Sequence, residues 1–298
     1  MERIDDTMLL DELKRRLEEN AIAVKNLRAM TQNLEQLNEK LRQSESLKSD
    51  FLSNIRNEIN NPLASIMGLS RQILDKQLDA ETLRTMIAVI YHEAFDLDFQ
   101  LRNIFAAAEL EAGETAMSIA RVDVAALIRA QLDAFGHKAA ERKVSLVFDC
   151  PACANDGSLT FTTDPDKLQK VLANLLANAI EFNREGKRAT VTAERRGERL
   201  LLSIADEGLG IPEQDRKRVF DRFVQIDTGL RKRHKGHGLG LSITKALAEM
   251  LGGTVTLKEA EGAGCIFMVS VPELASAGPV EITSRDGNEF IFDGGMQY

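Results

Sequence analysis

Along the first hundred residues, apolar side chains return at alternating steps of three and four. Leu10, Leu13, Leu17, Val24, Leu27, Leu34 and Leu41 share one heptad frame, and Asn20, Thr31 and Asn38 fall on the same seam. No Pro or Gly interrupts residues 7–48. A narrow stripe of this kind predicts a coiled coil, whose polar seam positions lower stability but fix register. A solvated single helix is the alternative. The frame continues through Leu52, Ile55, Ile59, Pro62, Ile66, Leu69 and Ile73. A second run holds Leu83, Ile87, Ile90, Ala94, Leu97, Leu101, Ile104 and Ala108, and the short polar stretch from Asp75 to Ala80 separates the two. Two such helices make an antiparallel hairpin. One hairpin cannot bury both seams, so two chains are expected to pair as a homodimeric four-helix bundle. Pro62 lacks a backbone donor and is expected to kink the first helix.

Gly113 is a helix stop, and beyond it the pattern changes to mixed strand and helix. Val144–Phe148 and Leu159–Thr163 read as strands. Asp164 and Pro165 supply the cap and first position of a helix reaching Phe182. Thr190–Arg195 and Leu200–Ala205 read as strands joined through Gly197. A helix from Leu239 to Leu251 stops at Gly252-Gly253, and Thr254–Lys258 with Cys265–Val271 forms a closing hairpin. The expected class is therefore α+β. A coiled coil (1–48) leads into a helical hairpin (49–113), then a two-layer α/β sandwich (114–273) and a tail (274–298). Val280–Thr283 and Glu289–Phe292 in the tail alternate around a turn signal, which fits a small hairpin or a disordered end.

Composition narrows the function classes. The chain has 298 residues and a net charge of −8, which argues against nucleic acid as a partner. It contains no Trp, and its 28% of charged residues suits water-soluble helical architecture. No apolar run reaches the ~20 residues of a membrane helix, and no signal peptide is evident. A cytoplasmic location is expected. Cys150 and Cys153 have CxxC spacing, but no second ligand pair or thioredoxin-like context accompanies them. Two ordinary thiols in a reducing compartment are expected.

Three segments carry candidate chemistry. Asp206-Glu-Gly208-Leu-Gly210 follows a strand. Its glycines let backbone approach a ligand, and Asp206 can accept from an exocyclic amine such as that of adenine. Gly236-His-Gly238-Leu239-Gly240 precedes a helix and aims free N–H groups at phosphates. Asn174 and Asn178 lie one turn apart on one helix face, with amide oxygens suited to Mg²⁺. Each signal alone is weak. In this order and spacing, the chain resembles the sensor histidine kinases, whose ATP domain is shared with gyrase, Hsp90 and MutL. Asn174 and Asn178 match the N box, Asp206–Gly210 and Gly236–Gly240 the two glycine boxes, and Arg218–Phe223 the F box with Phe220 and Phe223. The resemblance covers roughly 45–273. It implies ATP and Mg²⁺ as ligands, with Asn178 on the metal and Asp206 on adenine. It also implies a lid from about Glu213 to His237, made basic by Arg231, Lys232, Arg233 and Lys235. Two positions depart from the family pattern: Glu181 stands where Lys is frequent near the phosphates, and His237 where a small residue is usual.

The larger departure is in the first helix. The family's acceptor motif runs F-L-x-x-x-S-H-E-x-x-x-P-L. Here Phe51-Leu-Ser-Asn-Ile-Arg56-Asn57-Glu58-Ile-Asn-Asn61-Pro62-Leu63 places Asn57 at the phosphorylated histidine. The heptad frame puts Asn57 on the outermost position. An amide has no nucleophilic lone pair comparable to imidazole, and the base Glu58 has nothing to activate. No autophosphorylation is expected at Asn57. His92 and His137 read as surface residues, and His234 and His237 belong to the lid. Glu58-Ile-Asn-Asn61 resembles the E-x-x-T/N motif with which family members dephosphorylate response regulators, although Asn61 also serves as a local cap. Three readings follow. The first is an ATP-binding pseudokinase dimer that regulates or dephosphorylates a response regulator receiver domain, or acts on a partner histidine kinase. The second is an active kinase family member that carries an Asn substitution or phosphorylates a partner in trans. The third is a scaffold with a vestigial site.

Overall fold

The structure is a computed structural model that describes residues 6–153, 157–224, 238–260, 264–275 and 282–283. The chain divides into two compact units, 1–53 and 54–298. Helix α1 spans Asp6–Asp75 and continues past the buried Pro62. Within the first unit, the seam residues Leu17, Val24, Leu27 and Leu34 are exposed.

In the second unit, a short loop separates α1 from α2 (Ala80–Ala112). Asp79 caps α2 by accepting from Glu81 N at 3.1 Å and Thr82 N at 2.8 Å. Gly113 ends it in the left-handed conformation at φ 70°, its N–H bonded to the Glu109 carbonyl. This is the helix stop expected from sequence. Met86, Phe95 and Ala106 are the buried side of α2, whereas the seam residue Ile87 stays exposed.

The stretch after Gly113 contains two elements that the sequence pattern does not resolve. Strand β1 spans Ala120–Asp123 and α3 spans Val124–Glu141, capped by the Asp123 carboxylate. Val124, Ala125, Ile128, Phe135 and Ala139 form the buried stripe of α3. The stripe meets α2 edge to face, Phe95 against Phe135 with centroids 5.4 Å apart. His92 and His137 were expected at the surface. Instead their rings stack across this joint at 4.5 Å, where Phe95 and Phe135 bring α2 and α3 together, and Lys138 pairs with Asp96 at 3.0 Å.

The remaining elements are β2 (Ser145–Asp149), β3 (Thr160–Thr163), α4 (Pro165–Glu181), β4 (Arg188–Arg196) and β5 (Arg199–Asp206), then α5 (Gly240–Met250), β6 (Thr254–Glu259), β7 (Cys265–Pro272) and β8 (Ile282–Thr283). Five strands form one sheet in the order β2-β4-β5-β7-β6. The β2–β4 pair is parallel and the rest are antiparallel. Burial alternates along β4, β5 and β7, so one face is apolar and is covered by α3, α4 and α5. This is the two-layer α/β arrangement. A smaller sheet has the order β3-β1-β8, with β8 of the tail running parallel to β1. The expected tail hairpin lies otherwise outside the described residues.

The cysteine expectation is corrected. Cys150 and Cys153 are joined as a disulfide, because the turn at Pro151–Cys153 brings their Cα atoms to 5.3 Å. Cys265 is a free, buried thiol. No helix among the described residues is long and apolar enough to cross a membrane.

Candidate nucleotide site

Helix α4 carries the paired asparagines, and its start is firmly held. Asp164 caps it through Lys167 N, and its other oxygen takes Lys167 Nζ and Ser118 N, each at 2.7 Å. Pro165 occupies the first turn. Asn174 is 2% exposed, and neither atom of its amide has a hydrogen-bond partner among the described residues. An orphaned buried amide costs about 1–3 kcal/mol, so it marks a place where a polar ligand would be welcome. Asn178, one turn on, is half-buried.

Facing Asn174 is the start of α5. A Cβ on Gly240 would lie 3.4 Å from Asn174 Oδ1. Leu239, at the cap position, brings no side-chain hydrogen bond to the first turn. The N–H groups of that turn and the positive end of the helix dipole are therefore directed beside an unsatisfied amide. Gly238 has φ 65°, and a Cβ there would fall 2.8 Å from the Val224 carbonyl oxygen. Phe223, itself at φ 66°, donates its N–H to the Gly238 carbonyl at 3.1 Å. This bond ties together the two ends of segment 225–237. That segment, with Arg231, Lys232, Arg233, His234, Lys235, Gly236 and His237, lies outside the described residues. Phe220 meets Phe267 of the sheet edge to face at 6.4 Å.

The adenine side is built at the end of β5. Asp206 is 5% exposed, and its Oδ1 accepts from Gly208 N at 2.9 Å and Cys265 N at 3.2 Å. Burial raises its carboxyl above the ordinary 3.8 despite these two donors. With both donations on Oδ1, Oδ2 is the oxygen available to a ligand amine. Gly208 and Gly264 are required by close approach. A Cβ would lie 2.3 Å from the Phe182 carbonyl at Gly208 and 2.2 Å from the Asp206 carbonyl at Gly264. Gly210 takes φ 73°.

Gly264 and Cys265 were missed as site residues, because the sequence pattern reads them only as the end of a hairpin turn and the first residue of the strand after it. The sole signal was a glycine immediately before the strand that pairs with β5. Glu181 is also reassigned. It is buried and paired with Arg142 at the end of α3, so it ties two helices together. Asn57 and Glu58 lie within α1, but their side chains are outside the described residues. Asn61 is exposed.

These features fit a purine nucleotide: a desolvated acceptor at the end of β5, and an orphaned amide beside the uncapped start of α5. Among the described residues, no group of three or more His, Cys, Asp and Glu could hold a metal. A cation here would need amide oxygens and the ligand's own phosphates, a set that suits Mg²⁺.

The cradle and the helical hairpin that precedes it in sequence define a candidate nucleotide-binding α/β domain following a helical domain. Residues 163–275 match the family model described as "Histidine kinase-, DNA gyrase B-, and HSP90-like ATPase". Residues 47–113 match the "His Kinase A (phospho-acceptor) domain". The two domains, in this order, support membership of the two-component histidine kinase family. Among curated relatives, the circadian input-output histidine kinase CikA of Synechococcus elongatus is 30% identical over 236 residues, covering 78% of this chain and 31% of the relative. The sensor histidine kinase TmoS of Ectopseudomonas mendocina is 30% identical over 267 residues, covering 87% of this chain and 26% of the relative. This chain thus spans less than a third of either. Among solved structures, full-length ShkA in complex with AMPPNP aligns at TM-score 0.54 and 27% identity, covering 77% of this chain and 47% of that one.

Proposed function

We propose that this chain is a homodimeric, Mg-ATP-binding member of the two-component histidine kinases that does not phosphorylate itself at Asn57. It acts instead as a regulator or phosphatase of a response regulator receiver domain or of a partner kinase. The observation that carries the reading is a nucleotide cradle complete in every described part, on a chain whose acceptor position holds an amide. Asp206 Oδ2 accepts from the adenine amine, and the first N–H groups of α5 receive the phosphates. Asn178, with Asn174 behind it, offers its amide oxygen to Mg²⁺, which neutralises phosphate charge when bound. The positive charge of Arg231, Lys232, Arg233 and Lys235 favours binding of a triphosphate. Exposed seam residues on α1 and α2 support pairing with a second copy through the coiled coil and the hairpin.

Asn61 is exposed, as a residue must be to reach a partner's phospho-aspartate. Its amide orients a water for in-line attack on phosphorus. The bond from phosphorus to the aspartate oxygen then breaks, releasing phosphate and restoring the carboxylate. The test mixes the full chain with a phosphorylated cognate receiver domain. Phosphate should be lost at a rate that falls at least tenfold in Asn61→Ala. Incubation with radiolabelled ATP should leave the chain unlabelled, and Asn57→His should become labelled. Acid-labile label on the unaltered chain would overturn the reading.

A further inference from the structure

Cys150 and Cys153 are reactive groups for which the nucleotide site has no use. Cys150 follows β2, one of the two edge strands of the larger sheet. The turn after it closes by a hydrogen bond from Cys153 N to the Cys150 carbonyl at 3.0 Å, with the two sulfurs bonded. Pro151 fixes one backbone angle and has no N–H to satisfy. The turn is also anchored from outside. Gly157 N donates to the Cys153 carbonyl at 2.9 Å, and Arg129 of α3 donates to the Gly157 carbonyl at 2.9 Å. The same guanidinium lies over the Phe148 ring, 5.6 Å from its centroid. None of these contacts involves sulfur. The backbone that sets the two cysteines side by side is therefore held whether or not the bond exists.

Accessibility separates this pair from the third cysteine. Cys150 and Cys153 are half-buried and Pro151 is exposed, so a small reagent reaches the turn. Cys265 is buried, and burial pushes its thiol up to about 12, which keeps it protonated and inert. Register places the turn away from the nucleotide. Asp149 pairs with Thr192 of β4, whereas Asp206 pairs with Ala189.

We propose that Cys150-Pro-Ala-Cys153 is a reversible dithiol–disulfide site that exchanges with low-molecular-weight disulfides of the glutathione class. One cysteine thiolate attacks a sulfur of the small disulfide and expels one small thiolate, giving a mixed disulfide. The second cysteine, as thiolate, attacks the protein-side sulfur and expels the other. Two protein thiols lose two electrons and two protons, and one small disulfide becomes two small thiols. The bond staples the β2–β3 connection and changes the stability of the ATP domain without touching the cradle.

The experiment equilibrates the full chain in mixtures of reduced and oxidised glutathione, quenches by alkylation, and reads intact mass and peptides. Cys150 and Cys153 should become protected together in one two-electron transition. Reduction should lower the thermal midpoint by about 4–8 °C, from loop-closure entropy for a four-residue ring. The double variant Cys150→Ser/Cys153→Ser should lose that response and keep its affinity for an ATP analogue within twofold. Full alkylation of both cysteines even in oxidised glutathione alone would overturn the proposal. So would oxidation that yields only glutathione adducts or interchain dimers, or an equal thermal response in the double variant.

Discussion

Replacing Asp206 by Asn separates what this carboxylate does for the fold from what it does for a ligand. The side chain is 5% exposed, and burial raises its carboxyl above 3.8. A carboxyl raised in the folded state adds stability at acid pH and loses that contribution as pH rises through the folded value. At neutral pH the buried charge is therefore a cost to the fold. Asn removes the charge and keeps an amide oxygen for the N–H groups of Gly208 and Cys265, at 2.9 and 3.2 Å. The ligand-free variant should melt within about 3 °C of the parent chain. Binding should respond differently. Position Oδ2 becomes an NH₂ that points a donor at the adenine amine, itself a donor. Loss of a charge-assisted hydrogen bond of about 1.5–3 kcal/mol predicts a roughly 10- to 150-fold weaker ATP analogue by calorimetry. The same NH₂ suits a 6-oxo purine, so inosine triphosphate should lose much less, and the preference for adenine should narrow or invert. ATP affinity within twofold of the parent would refute the adenine contact. A loss of equal size for both nucleotides, with a matching fall in melting temperature, would mean that the site had collapsed.

Three further outcomes are expected. Gly208→Ala places a Cβ 2.3 Å from the Phe182 carbonyl, so backbone must shift; the domain should lose about 1–3 kcal/mol in denaturant melts along with its ATP binding, and an unchanged midpoint would contradict the close approach. Asn178→Ala should abolish the Mg²⁺ dependence of ATP-analogue affinity measured by calorimetry, and an unaltered Mg²⁺ dependence would remove Asn178 from the metal site. His137 has its titration lowered from 6.5, first by burial and then by stacked His92, with Lys138 adding to this and Asp96 opposing it. A histidine lowered in the folded state contributes stability above its unfolded value and loses it as pH falls. Protection factors for amide exchange at the α2–α3 joint, corrected for intrinsic exchange rates, should therefore fall as pH drops below about 6.5, and His137→Gln should flatten that response.

The parts of this molecule that were legible in sequence are those set by local chemistry. Asp164 and Pro165 announce a helix start because a carboxylate acceptor and a missing N–H are what a first turn needs, and α4 begins there. Gly113 marks a helix end for the matching reason. Less legible was α3, where a buried Gln131 and Gly136 dilute an Ala-rich apolar stripe. The parallel β2–β4 pairing was hidden because it joins strands far apart in sequence. The site divides along the same line. Asp206 and the glycines that spare backbone space are visible as residue types, whereas the Cys265 N–H that steadies Asp206 leaves no trace in side-chain identity. Glu181 shows the converse hazard: a position read by analogy as phosphate-facing is held by Arg142 on a neighbouring helix.

This division bears on the functional reading. The acceptor residue of the family acts by its own chemistry, so the proposal that Asn57 takes no phosphate rests on a single letter. The cradle acts by arrangement, with an orphaned Asn174 amide facing Gly240 and an uncapped α5 start. A chain under no demand to bind nucleotide has no reason to keep an unsatisfied amide 2% exposed, since Leu at Asn174 would fill the same space without the penalty. That cost at Asn174 is what the proposed regulatory ATP site predicts and a vestigial one does not.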